Sequence, residues 1–325
     1  MIGLPVSVLD IGLVQDGTST GQALADVMAT ARRADQLGFL RFWVAEHHGS
    51  QAMAGAVPSV MISRLAVETA SIRLGAGGVM LPNHSSVAVA EQFGTLGALD
   101  PGRIDLGIGR GPGGFNRDFI EALRQGAAPL SDEGYGTRIR ELLGYLEVDK
   151  ARGVRVSLAE DYPPEVWLLA SSPSGAALAA GLGLPLSFAH HIRPANTRES
   201  LAIYRDRFQP SQWRDRPHIM LSVSVACAET DELAVNRAQL AEALLVRDVG
   251  EQLSAAGQDP APARRKALEA MRGGSVRGGP ETVARYLSEL VDRFAPDELI
   301  LVLSLGTVAD RLRCLELVSE QVIVS

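Results

Sequence analysis

The chain has 325 residues, of which 46% are apolar and 21% charged, enough to build a large core within the size range of α/β barrels. A formal charge of -7 repels polyanions and argues against a nucleic-acid partner. The two cysteines, Cys227 and Cys314, lie far apart without a CxxC spacing, which excludes a cysteine-built metal site and fits a reducing compartment such as the cytoplasm. No apolar run reaches the roughly 20 residues that span a bilayer, and the N-terminal stretch carries Asp10 with no basic leader before its apolar residues. Neither a membrane span nor a secretory signal is expected.

Short β-rich runs alternate with helical segments from end to end, the pattern of βαβ units on a parallel sheet. Strands are expected at residues 4–10, 40–45, 72–80, 104–108, 166–170, 185–189, 219–226 and 298–303. Apolar spacings of three and four place helices at 23–37, 57–69, 86–99 and 174–181. Thr230 with Asp231 and Glu232 opens a further helix, and Gly38 closes one before a strand. Eight strand-helix pairs predict one closed (β/α)8 TIM barrel over residues 1–325 rather than an open doubly wound sheet. Two stretches, 111–135 and 248–279, read as long Gly-rich or charged excursions on the catalytic face, the second as a lid insertion.

In such a barrel, chemistry collects just after each strand. The second strand ends in Trp43-Val-Ala-Glu46-His47-His48, three polar groups that each need a partner if buried. The plain alternative is a hydrogen-bonded pair of histidines that ties down a loop. The third runs through Gly77-Gly78 to Pro82-Asn83-His84, and glycines inside a strand suggest a close-lying ligand plane or a bulge at a barrel corner. The fourth ends in Gly109-Arg110-Gly111, a cation in cleared space suited to phosphate or carboxylate, or else to a surface ion pair. After the fifth come Ala170-Ser171-Ser172-Pro173-Ser174-Gly175 and a helix, an anion site by geometry and dipole, although plain N-capping explains one serine as well. Arg110 and the serine turn would be neighbours and could clamp one phosphate.

Three other readings compete. Gly109-x-Gly111-x-x-Gly114 formally matches a dinucleotide fingerprint, but it follows the fourth strand, contains Pro112, and has its acids in Ser131-Asp132-Glu133 rather than at a strand end. A metal-dependent hydrolase would need His47-His48, His84 and His190-His191 to converge, yet no His-x-His stands on the first strand and no carboxylate closes the last. No metal is expected. A barrel that only holds a flavin or phosphate ligand stays open.

The motifs at Trp43 to His48, Gly77 to His84, Ala90-Glu91-Gln92, Pro101-Gly102-Arg103-Ile-Asp-Leu-Gly-Ile-Gly109-Arg110 and Ala170-Ser171-Ser172 together resemble the bacterial luciferase-like monooxygenases, in that family's order. The resemblance covers most of residues 1–190 and returns at Gly278-Gly279-Pro280 and the last strand-helix pair. It implies reduced FMN as a dissociable cosubstrate, delivered by a separate NAD(P)H:flavin reductase, and a C4a-peroxyflavin formed with O2 that oxygenates a small organic substrate. It further implies His47 as acid or base with Glu46 and His48 beside it, and Arg110, Ser171, Ser172 and the Gly175 amide around the phosphate. Gly77, Gly78 and Asn83 flank the flavin in this reading, with a non-proline cis peptide at Gly77-Gly78. A lid at 248–279 and a homodimer are implied as well. The departures are Gly109 where the luciferase catalytic chain has a reactive cysteine, Ser171 where it has a glutamate, and a longer loop toward Asp118. Light emission is not implied, and F420 serves related families as an alternative cofactor.

Overall fold

The computed structural model describes residues 2–147 and 154–322. Its elements run β1 (Val6–Asp10), α1 (Thr20–Gln36), β2 (Arg41–Val44), α2 (Pro58–Glu68), β3 (Arg73–Met80), α3 (Ser86–Leu99) and β4 (Ile104–Gly109). Then follow α4 (Arg117–Leu123), α5 (Asp132–Leu146), α6 (Ser157–Asp161), β5 (Glu165–Ala170), α7 (Pro173–Gly181), β6 (Leu186–Ala189), α8 (Thr197–Arg207) and β7 (Ile219–Cys227). The chain continues through α9 (Asp231–Ala255), α10 (Ala261–Gly273), β8 (Ser275–Gly278), α11 (Pro280–Phe294), β9 (Glu298–Leu303) and α12 (Val308–Val322).

All ladders are parallel, and β1 pairs with both β2 and β9 while β6 pairs with β7, so eight strands close into a (β/α)8 barrel. The eight strands expected from the sequence are these eight. The ninth, β8, was not expected. It takes the edge of β7 that β6 leaves free, pairing Ser224 to Cys227 with Ser275 to Gly278 above the β6 contact at Ile219 to Ser222.

Local chemistry accounts for the helix starts. Ser19, Asn116, Ser131, Ser172 and Thr230 each cap a helix by accepting a backbone N–H two or three residues into it. Neither expected excursion is loop throughout: 111–135 holds α4 and the start of α5, and 248–279 holds the end of α9, all of α10 and β8. Gly38, at φ +83, turns the chain from α1 toward β2.

The barrel is filled in tiers. At the strand starts, Arg41 donates to both oxygens of Glu298 (2.9 and 3.0 Å) and to Asp105 (2.9 Å), while Arg73 Nε donates to Asp105 at 2.9 Å. Above this ionic floor, Trp43 and Trp167 meet edge to face at 5.8 Å within a cluster that includes Leu9, Met220 and Ile300. Trp43 links the tiers by donating from Nε1 to Asp105 at 2.9 Å. The floor and the tryptophans fill the lower barrel, so its interior opens toward the C-terminal ends of the strands.

Candidate active site

A cavity of about 730 Å³ opens at that end, within the range of small-molecule and cofactor sites. Its wall includes Glu46, His47, Gly77, Arg110, Ser171, Ser172 and Gly175. Gly78, Asn83 and His48 are not among the lining residues.

The segment after β2 divides its three polar residues between roles. Glu46 is fully buried, and its Oε1 accepts from His48 Nε2 and His84 Nε2, each at 2.8 Å, while Oε2 accepts from the Met80 amide. Burial pushes the Glu46 carboxyl up, but the hydrogen bonds from His48 and His84 outweigh it and hold the group below the usual carboxylate range. His48 stacks on Phe119 and donates its backbone N–H to the Gly113 carbonyl, so it fastens the β2 loop to the β4 loop. Of the adjacent pair, the loop-tying alternative therefore fits His48, whose partner is Glu46 and not His47. His47 differs. Its Nδ1 is buried without a hydrogen-bond partner, and burial together with the neighbouring His48 pulls its pKa down to about 4, so the imidazole facing the cavity is neutral near pH 7.

Glu46, His48 and His84 bring three potential ligand atoms within 4.8 Å of one another. His47, His190 and His191 do not join them among the described residues. Two of the histidines weighed for a metal centre, His48 and His84, thus converge on Glu46, and each bonds its carboxylate through Nε2.

On β3 the Gly77-Gly78 peptide bond is cis, and the pairing with β4 shifts register between Ala76 and Val79, so the bulge reading holds. Space is short here: a methyl group added to Gly77 would sit 2.7 Å from Leu9 Cδ1, and one on Gly78 2.7 Å from the Gly107 carbonyl oxygen. Gly77 also faces the cavity. Asn83 is occupied elsewhere, donating to the Pro112 carbonyl and accepting from Arg124 Nε, both at 2.9 Å.

The opposite flank is polar. Arg110 pairs with Asp132 at the start of α5 and lies 5.8 Å from the Tyr135 ring centre. Ser172 is the N-cap of α7, its Oγ accepting from the Gly175 amide at 3.3 Å and contacting Ser174 Oγ at 3.1 Å. Plain capping therefore accounts for Ser172, while its position on the cavity wall leaves it open to a ligand as well. The Ser171 carbonyl accepts from Asn196 at 2.9 Å.

Tyr135, Arg140 and Ser222 on the wall were not singled out from the sequence. Tyr135 has a buried hydroxyl without a partner, Arg140 adds a second cation, and His191 Nδ1 lies 2.7 Å from Ser222 Oγ. Burial lowers the His191 pKa to about 4, so a neutral imidazole also stands at the β6 end. In an eight-stranded barrel β6 is opposite β2, which sets His191 across the mouth from His47. His191 had entered the sequence reading only as a metal ligand; its pairing with Ser222 depends on the β6–β7 register, which no local motif encodes.

The model of the luciferase-like monooxygenase family matches residues 5–296 of this chain. The chain belongs to that family. It is 37% identical over 324 residues to the protein YvbT of Bacillus subtilis, covering 97% of this chain and 96% of the relative. It is 39% identical over 226 residues to a luciferase-like monooxygenase of Escherichia coli K12, covering 69% of this chain and 67% of the relative. Among solved structures, apo-MsnO8 superposes with a TM-score of 0.83 at 35% identity and 99% coverage of both chains. More distant structures share the barrel alone: a Baeyer–Villiger monooxygenase component from Pseudomonas putida in complex with FMN (TM-score 0.72, 19% identity, 98% of both chains) and an F420-dependent secondary alcohol dehydrogenase (TM-score 0.67, 15% identity, 98% of both chains).

Proposed function

We propose that this luciferase-like monooxygenase uses reduced FMN and O2 to oxygenate a small organic substrate. The observation that carries the reading is the cavity's two-ended character. A partnerless, neutral His47 stands at the β2 side, and cations with a capped helix start stand at the β4–β5 side. The residues present fit a phosphorylated flavin. Arg110, Ser172, Ser174 and the start of α7 would hold the phosphate, with Arg140 as a further cation, and Gly77 leaves a flat wall beside the ring. Among the described residues the buried Tyr135 hydroxyl and His47 Nδ1 have no hydrogen-bond partner; the first lies on the flavin-phosphate flank and the second faces the space left for the organic substrate in this reading.

Bound reduced flavin supplies the electrons that activate O2. The protein's part is to exclude water, orient the substrate and manage protons at His47, which, being neutral, can accept one. Glu46 and His48 act on His47 through the loop they hold. We further read the chain as one barrel domain whose lid is formed within 248–279, fed by a separate NAD(P)H:flavin reductase in the cytoplasm. Among the described residues no helix is long and apolar enough to cross a membrane. A homodimer through α2 is part of this reading, supported by the outward-facing Val57, Val60 and Val67 (53%, 66% and 80% exposed).

The second reading is an F420-dependent oxidoreductase, favoured by the F420-dependent enzyme that shares the barrel. Side-by-side titration with FMN, FAD and F420, followed by oxygen-uptake screening of organic substrates with the tightest binder, decides between them. FMN binding with substrate-dependent oxygen uptake is expected; tight F420 binding without oxygen uptake would replace the first reading by the second.

A further inference from the structure

Helix α9 carries a buried carboxylate, Asp248, 2% exposed, with no cation in ion-pair contact among the described residues. A charge removed from water and left without a counter-ion is costly unless hydrogen bonds replace its hydration. Here they do. Asp248 Oδ1 accepts from the amides of Gln51 (2.7 Å) and Ala52 (3.2 Å), and Oδ2 accepts from Ser50 Oγ (2.8 Å) and Gln252 Nε2 (2.7 Å). Four donors converge on one carboxylate, an arrangement that a neutral side chain of the same size cannot satisfy.

The second part of the device is Gln252, 5% exposed and one helical turn further on. With its Nε2 committed to Asp248, its Oε1 faces away and accepts from the Phe115 amide at 2.9 Å. Phe115 belongs to the loop that begins at Arg110, and 50–52 to the loop after β2 that carries His47. Those two loops also touch directly, through His48 N–H to the Gly113 carbonyl at 2.7 Å. Helix α9 ends at Ala255, where the chain turns toward α10.

We propose that Asp248 and Gln252 are positioning residues that join the His47 loop, the Arg110 loop and the last turns of α9 into one mechanical unit. Their relevance to catalysis rests on the flavin reading above; the junction itself does not. Its consequence is that a ligand seated against Arg110 is registered at His47, and that displacement of the end of α9 disturbs both.

Amide hydrogen exchange of the full chain without ligand tests the junction. Asp248→Ala removes every acceptor, so Gln51, Ala52 and Phe115 should exchange at least about tenfold faster than in the wild type, the scale of one lost charge-assisted hydrogen bond. Asp248→Asn is the discriminating variant. Its remaining oxygen still serves Gln51 and Ala52, while its amide opposes Gln252 Nε2, so Phe115 loses protection and Gln51 keeps it. Gln252→Leu should release Phe115 alone, and it decides the matter even where Asp248→Ala does not fold. Phe115 protection unchanged in both Asp248→Asn and Gln252→Leu would overturn the proposal. FMN titration of Gln252→Leu adds a reading that a merely structural role would not move: affinity should fall several-fold with the fold intact. Failure of FMN to bind the wild-type chain overturns the flavin reading and not the junction, which the ligand-free exchange decides alone.

Discussion

Arg110 faces the cavity already paired with Asp132, the first residue of α5. An anion arriving at Arg110 must therefore compete with a carboxylate, one that is itself 73% exposed and so weakly held. Asp132→Asn should free the guanidinium and remove a repelling charge, tightening FMN binding by about twofold to tenfold, in line with the modest worth of exposed pairs. Arg110→Ala should weaken it. Flavin fluorescence quenching measures both, and weaker binding in Asp132→Asn would show instead that Asp132 orients Arg110.

His47 contributes a neutral ring and no structural side-chain hydrogen bond, so its removal should spare the fold and the flavin site while affecting turnover. In His47→Ala, FMN affinity should stay within about twofold of wild type, and oxygen consumption should continue with peroxide replacing oxygenated product. Product and peroxide measured against oxygen consumed test this. Fully coupled turnover in the variant would remove His47 from the chemistry.

The barrel floor gives a stability prediction. Arg41 is 4% exposed and serves Glu298, Asp105 and Glu165 at once, so Arg41→Ala leaves buried Glu298 with His218 and buried Asp105 with Arg73 and Trp43 as remaining donors. A loss of about 3–5 kcal/mol is expected in denaturant unfolding. Arg41→Met combined with Glu298→Gln should recover part of it, because the second change removes one buried charge. A loss below about 1 kcal/mol in the single variant would mean that the floor reorganises or hydrates.

Much of this architecture was legible because parallel strands buried on both faces read as short apolar runs, most plainly in β1, β7 and β9. β8 does not. Ser275–Gly278 is a four-residue piece between glycines with one apolar side chain, and it becomes a strand only because β7 outlasts β6 and offers a free edge. α4 and α5 had readable caps in Asn116 and Ser131, the latter followed by two acids, but the surrounding glycines masked them. In the site, motifs that end a strand could be read locally, as with His47 and Arg110. Pairings across the barrel could not: Asp248 with Ser50 and His191 with Ser222 join residues 198 and 31 positions apart. Nor does sequence say which of two adjacent histidines faces the cavity, a matter settled by how Glu46 captures His48.

Acid should unfold the protein in two stages. Burial holds His47, His190 and His191 at about 4, against 6.5 for an ordinary histidine. Between these values the unfolded chain binds protons that the folded chain refuses, so stability present above about pH 6.5 is lost as pH falls toward 4. The full loss is up to about 3 kcal/mol per histidine, and less for His47 and His191, which border the open cavity. Glu298 acts lower. Burial raises its pKa, but hydrogen bonds from His218 and Arg41 prevail and hold it at about 2 against an ordinary 4.5, so its contribution persists above 4.5 and disappears between 4.5 and 2. Urea midpoints measured from about pH 7.5 to about pH 3 should fall across both windows. His191→Asn should flatten only the upper one and Glu298→Gln only the lower, whereas a midpoint constant from about pH 7.5 to about pH 4.5 would show that these histidines titrate alike in the folded and unfolded chain.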